Sequence, residues 1–232
     1  IDIAVQGNIE LPEEVVSVLS YGGEGIGLYR TEFQYLQRTS FPSENDMFEN
    51  YRDVIDVISP HPVTIRTLDV NGDKLLSYDT TPNEANPALG LRGIRYCLKN
   101  PDVFEAQLMA ILRAAAYGKV RLLLPMISGV DEIRKTKALI DQAAKKLASR
   151  NRPYNRDIEI GIMIEVPSAV IMADILAQEV DFFSIGTNDL IQYAMAIDRD
   201  NRMVAALYHP LHPTIIRMIN HVVKMGRKQG IP

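Results

Sequence analysis

The sequence predicts an α/β fold with a parallel sheet, of the type that closes into a (β/α)8 TIM barrel. Short runs rich in β-branched apolar residues alternate with longer stretches of helical periodicity along all 232 residues, as in consecutive βα units. The short runs are almost continuously apolar, which indicates strands covered on both faces. About six units are too few for a closed barrel of about 250 residues. The sequence therefore predicts one domain over residues 1–232, either an open doubly wound sheet or a truncated barrel, and the approach to another strand at Pro232 favours the barrel.

The predicted elements follow from the apolar runs and from the residues that punctuate them. The candidate strands are residues 2–5, 25–29, 63–68, 120–125, 159–165 and 181–185. The candidate helices are residues 11–19, 44–58, 101–117, 130–149, 168–178 and 214–229. Pro12 and Pro101 stand near helix starts, where a missing N–H is tolerated. Residues 69–91 predict a long loop after the third strand, at the edge where α/β folds place their sites.

Composition excludes several classes of protein. The chain is 47% apolar and 23% charged, enough apolar residues for a sizeable core. Its 25 basic and 29 acidic side chains give a net charge of −4, which argues against nucleic acid as a partner. The single cysteine, Cys97, excludes an internal disulfide and a thiolate metal cage, so a cytoplasmic location is expected. No run of about 18 apolar residues predicts a membrane span.

Charged and amide side chains follow several strands at the point where each strand ends. Arg30 follows the second strand, Arg66 ends the third, Glu165 ends the fifth, and Asn188 and Asp189 follow the sixth. Because the carboxyl ends of parallel strands open onto one face of a barrel, we expect these side chains to converge on one pocket.

Two of these residues are candidate metal ligands. Glu165 ends an apolar run, and a buried unpaired carboxylate costs several kcal/mol unless a cation lies beside it. Spacing alone fits a salt-bridged glutamate equally well. With Asp189 at the next strand end, a two-carboxylate site for a hard cation such as Mg²⁺ is the better account.

Arginines on the same face indicate an anionic ligand. Arg30, Arg66 and Arg92 lie at strand ends or in the long loop, and several guanidinium groups around one pocket suit a small, multiply charged anion. Any one of them alone fits a surface charge. Arg199 is a candidate fourth, although its acidic neighbours fit a solvated ion pair equally well.

Other motifs are given structural interpretations. The glycine-rich segment 22–27 precedes a strand, whereas a dinucleotide fingerprint links a strand to a helix, so we interpret it as a turn. The four histidines show no zinc-ligand spacing: His61, His209, His212 and His221. Cys97 lies in a predicted helical stretch, shows no basic or histidine partner on an obvious pocket, and is interpreted as an inert packed thiol.

Five ordered segments resemble a known family. They are GLYRTEF at 27–33, RTLDVNGDK at 66–74, NPALGLRGIR at 86–95, MIEVP at 163–167 and FSIGTNDLIQY at 183–193. Together they closely resemble the phosphoenolpyruvate (PEP)-binding domain of the Enzyme I family, the PEP–protein phosphotransferases of the bacterial sugar phosphotransferase system. The resemblance covers nearly the whole chain and implies a TIM barrel of the PEP/pyruvate type that binds PEP and Mg²⁺.

The resemblance also implies residue roles. Glu165 and Asp189 would hold Mg²⁺. The substrate would be held by Arg30, Arg66, Arg92, Asn188, Arg199 and Lys74. Arginines and Mg²⁺ around a transferring phosphoryl group stabilise the charge on its oxygens, and the enolate left behind requires a general acid.

The implied reaction transfers the phosphoryl group of PEP to a histidine on a separate N-terminal domain and then to a histidine carrier protein, releasing pyruvate. A cytoplasmic homodimer is implied as well. The family's acid is a cysteine in a Cys-Gly-Glu motif after the seventh strand, expected beyond Pro232. No histidine here matches the phosphorylated one, so no catalytic residue is expected in this segment and the segment alone is expected to be inactive. Asn71 stands where the family usually has glycine.

Three alternatives remain open. A dikinase-type relative, such as pyruvate phosphate dikinase or PEP synthase, shares the arginines and the Asn-Asp motif, although segment 68–74 favours Enzyme I. A non-catalytic PEP-sensing regulatory module is a second alternative, against which the retained carboxylates and arginines argue. The nitrogen-regulation paralogue of the sugar-transport enzyme is the third, and this segment does not decide between them.

Overall fold

The sheet of the protein is parallel and its strands follow one another in chain order. The structure, a computed structural model, describes residues 3–36, 40–70, 84–198 and 201–232. The strands are β1 (Gly7–Ile9), β2 (Ile26–Tyr29), β3 (Val63–Arg66), β4 (Val120–Leu124), β5 (Glu159–Ile164) and β6 (Phe182–Ile185). Each strand pairs in parallel with the next, in the order β1-β2-β3-β4-β5-β6. A doubly wound sheet reverses its order part-way, so this order confirms the (β/α) barrel type and excludes the open alternative.

Helices connect the strands and cover the outer face of the sheet. Those of the described residues are α1 (Glu14–Ser20), α2 (Phe33–Leu36), α3 (Glu44–Ile58), α4 (Ile94–Lys99), α5 (Pro101–Ala114), α6 (Val130–Ser149), α7 (Pro167–Ile171), α8 (Ala173–Leu176), α9 (Thr187–Met195) and α10 (Pro213–Gln229). The long helices α3, α5 and α6 pack side by side. Their apolar faces and the strands form one continuous core. No helix among the described residues is long and apolar enough to cross a membrane.

Helices α3 and α6 are predicted correctly at both ends, and their start signals are local. The Ser43 hydroxyl accepts a hydrogen bond from the Asp46 backbone N–H at 3.1 Å and caps α3. The Glu132 carboxylate accepts from the backbone N–H groups of Ser128 (2.6 Å) and Gly129 (3.0 Å) at the start of α6. Such capping contacts are encoded within four residues and are therefore visible in sequence.

The predicted first strand is wrong. Residues 3–5 are irregular and Ile3 and Val5 are exposed, whereas β1 begins at Gly7. A Cβ on Gly7 would lie 2.4 Å from Val18 Cγ2, so glycine lets the strand approach α1 closely. Pairing to β2 and packing against α1 thus override the strand propensity of the apolar residues upstream.

Several predicted helix bounds are also corrected. The helix predicted over 11–19 begins at Glu14, and the one over 101–117 ends at Ala114. The helix predicted over 168–178 is divided at Met172 into α7 and α8. Helices α2 and α9 are not predicted. They are short and lie directly after strands, where neighbouring elements rather than propensity stabilise them.

Candidate active site

The carboxyl ends of β3, β5 and β6 place charged residues at one edge of the sheet. Arg66 is the last residue of β3, Glu165 follows β5, and Asp189 lies in the first turn of α9 after β6. Ile164 and Ile185 are paired in register, so the ends of β5 and β6 are level. The predicted convergence of these three residues is therefore seen in the fold.

Three buried carboxylates meet at this edge. Asp69, Glu165 and Asp189 each offer a carboxylate oxygen, and these oxygens all lie within 4.8 Å of one another. All three residues are buried, and Glu165 is only 1% exposed. Carboxylates this close repel one another strongly in a buried site, so cations must lie nearby.

Two arginines supply positive charge to this cluster. Arg92 donates two hydrogen bonds to Asp69, from Nε to Oδ1 (2.9 Å) and from Nη2 to Oδ2 (3.0 Å). Its Nη2 also lies 2.6 Å from Asp189 Oδ2. Arg66 Nη1 lies 3.0 Å from Asp69 Oδ2, and its Nη2 donates to Glu32 Oε1 at 3.0 Å. Asp69 thus joins the two guanidinium groups directly.

The charges of the described groups do not balance. The carboxylates of Glu32, Asp69, Glu165 and Asp189 face the guanidinium groups of Arg66 and Arg92. With every group ionised, two negative charges remain. Burial, followed by the charges of Asp69 and Asp189, raises the pKa of Glu165 to about 8. The cluster therefore fits a divalent cation, which supplies the missing positive charge through the oxygen ligands that Mg²⁺ prefers.

Backbone shape holds Glu165 in place. The backbone N–H of Met126, just after β4, donates to Glu165 Oε1 at 2.7 Å. Met126 has φ of 58°, a left-handed conformation that is rare outside glycine. Gly93, with φ of 57°, lies against both Met126 and Asp69, since a Cβ there would be 3.1 Å from Asp69 Oδ1. This tight backbone fixes the carboxylates relative to each other.

Tyr193 of α9 ties the loop before α4 to the site. Its hydroxyl donates to the backbone oxygen of Ala88 and accepts a hydrogen bond from Arg92 Nη1 at 3.3 Å. Burial raises the pKa of Tyr193, so the hydroxyl stays protonated and available as a donor. Tyr193 therefore orients Arg92 and anchors the loop that carries it.

The other predicted substrate residues lie at the margin or outside the described residues. Arg30 follows β2 at the same edge, but its ion pair is with Glu10 at 2.7 Å and its side chain is 40% exposed. Asn188 is exposed and its Oδ1 accepts from the Tyr208 hydroxyl at 2.8 Å. Lys74 and Arg199 lie outside the described residues. The structure thus brings together Arg66, Arg92, Glu165 and Asp189 by direct contacts or short distances.

Two site residues are not predicted from sequence. Asp69 and Glu32 hold the arginines, and neither is predicted as a site residue. Both lie within the matched segments, two or three positions after a strand-end arginine. An acid so close to each strand-end arginine is the signal that could have identified them. Cys97, by contrast, is buried as predicted, with Sγ 3.7 Å from the Leu68 oxygen.

Solved structures share the fold at low sequence identity. An HpcH/HpaI aldolase from Desulfitobacterium hafniense DCB-2 has a TM-score of 0.54 at 15% identity, covering 98% of this chain and 74% of its own. An HpcH/HpaI aldolase/citrate lyase family protein from Burkholderia cenocepacia J2315 has a TM-score of 0.56 at 12% identity, covering 98% and 76%. These similarities support the barrel-type fold alone.

Curated relatives are similar in sequence over almost the whole chain. The phosphoenolpyruvate-protein phosphotransferase of Priestia megaterium is 48% identical over 228 residues, which are 98% of this chain and 40% of that protein. Its namesake from Bacillus subtilis (strain 168) is 46% identical with the same coverage. The Staphylococcus aureus protein is 45% identical over 96% of this chain and 39% of its own length. The chain thus spans about two fifths of the length of these relatives.

The family described as PEP-utilising enzyme, PEP-binding domain, matches residues 1–232. This match agrees with the resemblance inferred from the five segments and with the strand-end site. The chain therefore belongs to the family of PEP-binding domains of PEP-utilising enzymes.

Proposed function

We propose that this chain is the PEP- and Mg²⁺-binding domain of a phosphotransferase. The full protein transfers the phosphoryl group of PEP to a histidine on a separate domain and then to a histidine carrier protein, releasing pyruvate. The observation that carries the proposal is the buried cluster in which Arg66 and Arg92 adjoin Glu165 and Asp189 at the strand ends. The names of the curated relatives support the same reaction.

The arginines hold the anionic groups of PEP. Arg66 and Arg92 are largely buried and are fixed by carboxylates, so their guanidinium groups are oriented before the substrate enters. Arg30 and Asn188 lie at the same edge, and Arg199 and Lys74 complete the proposed set. Several fixed donors around one phosphoryl group stabilise the charge that spreads over its oxygens during transfer.

Glu165 and Asp189 hold the metal ion. When bound, Mg²⁺ supplies positive charge to the substrate oxygens and to the negative charge that develops on the departing enolate. Loading the ion requires Glu165 to lose the proton that its raised pKa retains. The backbone N–H of Met126 keeps the Glu165 carboxylate aimed at the site.

The acid that protonates the enolate lies elsewhere in the full protein. Cys97 is buried in the core and its Sγ lies 3.7 Å from the Leu68 oxygen, so its thiol proton is enclosed by protein and we do not assign it as the acid. We assign the acid to the cysteine of the family's Cys-Gly-Glu motif and the phosphoryl acceptor to the histidine domain. The chain alone accordingly binds PEP but does not release pyruvate, and the full protein is proposed to be a cytoplasmic homodimer.

Calorimetry tests the proposal directly. PEP is titrated into the chain with and without Mg²⁺, and the same titration is made with the Glu165→Gln/Asp189→Asn double variant. We expect Mg²⁺-dependent binding that the double variant loses, whereas Glu159→Gln, an exposed change on β5, retains it. Equal PEP affinity in the double variant would remove the metal assignment, and the absence of PEP binding with Mg²⁺ would remove the proposed function.

A further inference from the structure

We infer that Asp69 is a positioning residue that locks Arg66 and Arg92 into one anion-binding pair, and that it is not a ligand of the metal ion. This inference rests on the proposed function, because it assigns the roles within the same site. It separates Asp69 from Glu165 and Asp189, although all three carboxylates lie within 4.8 Å of one another.

Both oxygens of Asp69 are already engaged by guanidinium donors. Oδ1 accepts from Arg92 Nε at 2.9 Å, and Oδ2 lies 3.0 Å from both Arg92 Nη2 and Arg66 Nη1. The Asp69 side chain is 0% exposed. A carboxylate that pairs with two cations has its charge satisfied before any metal arrives.

The space beside Asp69 Oδ1 is narrow. A Cβ on Gly93 would lie 3.1 Å from Oδ1 and 2.9 Å from Met126 Cγ, so the backbone of residue 93 and the Met126 side chain lie close to this side of Asp69. A divalent cation bound to Asp69 would lie next to the guanidinium groups of both Arg66 and Arg92 and be repelled by both, whereas Asp189 pairs with Arg92. Geometry and charge both disfavour Asp69 as a ligand.

Glu165 has the opposite environment. Its hydrogen bond comes from the neutral backbone N–H of Met126. No lysine or arginine among the described residues forms a salt bridge with it, and the charge of Arg66 acts on it from a greater distance. The Oε2 atom faces Gly186, where a Cβ would lie only 2.8 Å away. Glu165 is therefore a carboxylate that still requires a cation, whereas Asp69 is not.

A second acid completes the arrangement. Glu32 Oε1 accepts from Arg66 Nη2 and from the backbone N–H of Asp69, each at 3.0 Å. The three residues thereby form a closed ring of contacts. Among the described residues, Arg66 Nε has no acceptor and remains available for an oxygen of the ligand. Fixing two flexible guanidinium groups in advance lowers the entropy lost when the anion binds.

Paired variants separate the two roles. Asp69→Asn keeps the side-chain volume and removes the charge that holds the arginines, and Asp189→Asn is its matched control at the proposed metal site. We expect Asp69→Asn to weaken PEP binding by about tenfold or more while Mn²⁺ affinity stays within about threefold. Asp189→Asn should weaken Mn²⁺ binding by about tenfold or more. Equal loss of Mn²⁺ affinity in the two variants would overturn the inference.

A measurement on the unaltered chain tests the same point if Asp69→Asn fails to fold. The ¹⁵N resonance of Arg92 Nε–H, assigned with Arg92→Lys, should show slow solvent exchange because of its bond to buried Asp69. It should persist at saturating Mg²⁺, since the ion leaves Asp69 in place. Loss of protection on adding Mg²⁺ would show that Asp69 moves to the metal. This measurement is made without PEP. Its outcome therefore tests the role of Asp69 even if the chain fails to bind PEP.

Discussion

Gly186 lies so close to Glu165 that only a residue without a side chain leaves the Glu165 carboxylate in its position. A Cβ on Gly186 would lie 2.8 Å from Glu165 Oε2 and 3.0 Å from its Cβ. Real Cβ atoms do not approach other atoms this closely, so a side chain here must displace Glu165 or separate the ends of β5 and β6. The glycine after β6 therefore sets the position of a carboxylate on the neighbouring strand.

Gly186→Ala should for this reason impair metal binding more than folding. We expect Mn²⁺ affinity to fall by about tenfold or more, because a ligand displaced by tenths of an ångström loses its coordination geometry. Calorimetry with Mn²⁺ measures the effect. Gly129→Ala is the matched control, since nothing lies within 4 Å of a Cβ there. An unchanged affinity in Gly186→Ala would show that Glu165 Oε2 is not a ligand.

Tyr193→Phe should weaken PEP binding while the fold is retained. The change removes the hydroxyl that contacts Arg92 and the Ala88 oxygen, so the loop before α4 loses its anchor to α9. A lost hydrogen bond of this kind costs about 1 kcal/mol, and we expect an affinity reduced by about fivefold by calorimetry. Tyr21→Phe, at a tyrosine that is 92% exposed, should have no effect. Equal affinities in both variants would contradict a role for Tyr193.

The sequence predicts the strands after the first and the long helices well, but not the contacts between charged groups. Strand ends follow from apolar runs, so Arg66 and Glu165 are placed correctly. The role of Asp69 depends on Arg92, 23 positions later, and that of Arg92 depends on Asp189, 97 positions later. No local pattern encodes such pairs. Asp189 could be predicted as a metal ligand only after β5 and β6 were taken to be parallel neighbours, because that arrangement brings it close to Glu165.

The Cys97 thiol should be inert in the folded chain. Burial and the nearby charge of Asp69 raise its pKa, so the reactive thiolate is scarce at neutral pH. We expect Ellman's reagent to label Cys97 only in denaturant, at the rate of global unfolding. Mn²⁺ and PEP affinities should stay unchanged in Cys97→Ala. Fast labelling of the native chain would show that α4 opens locally.

The stability of the metal-free chain should decrease as the pH rises from about 5 to about 8. The pKa of Glu165 is raised from 4.5 to about 8 in the folded chain, so the folded state retains a proton that the unfolded state has lost. Stability then decreases with rising pH by up to about 1.4 kcal/mol per pH unit for one such group. Urea unfolding at several pH values measures this slope.

The Glu165→Gln variant should have a shallower slope of stability against pH, because the neutral amide does not titrate. Glu159→Gln, an exposed change on the same strand, should keep the slope of the unaltered chain. Saturating Mg²⁺ should also reduce the slope of stability against pH in the unaltered chain, since the ion replaces the proton on Glu165 and favours the ionised carboxylate. Mg²⁺ affinity should accordingly rise with pH up to about 8. A slope that survives Glu165→Gln unchanged would place the titrating proton on another group. Glu32, which is partly buried and whose pKa is also raised by burial, is the first to examine.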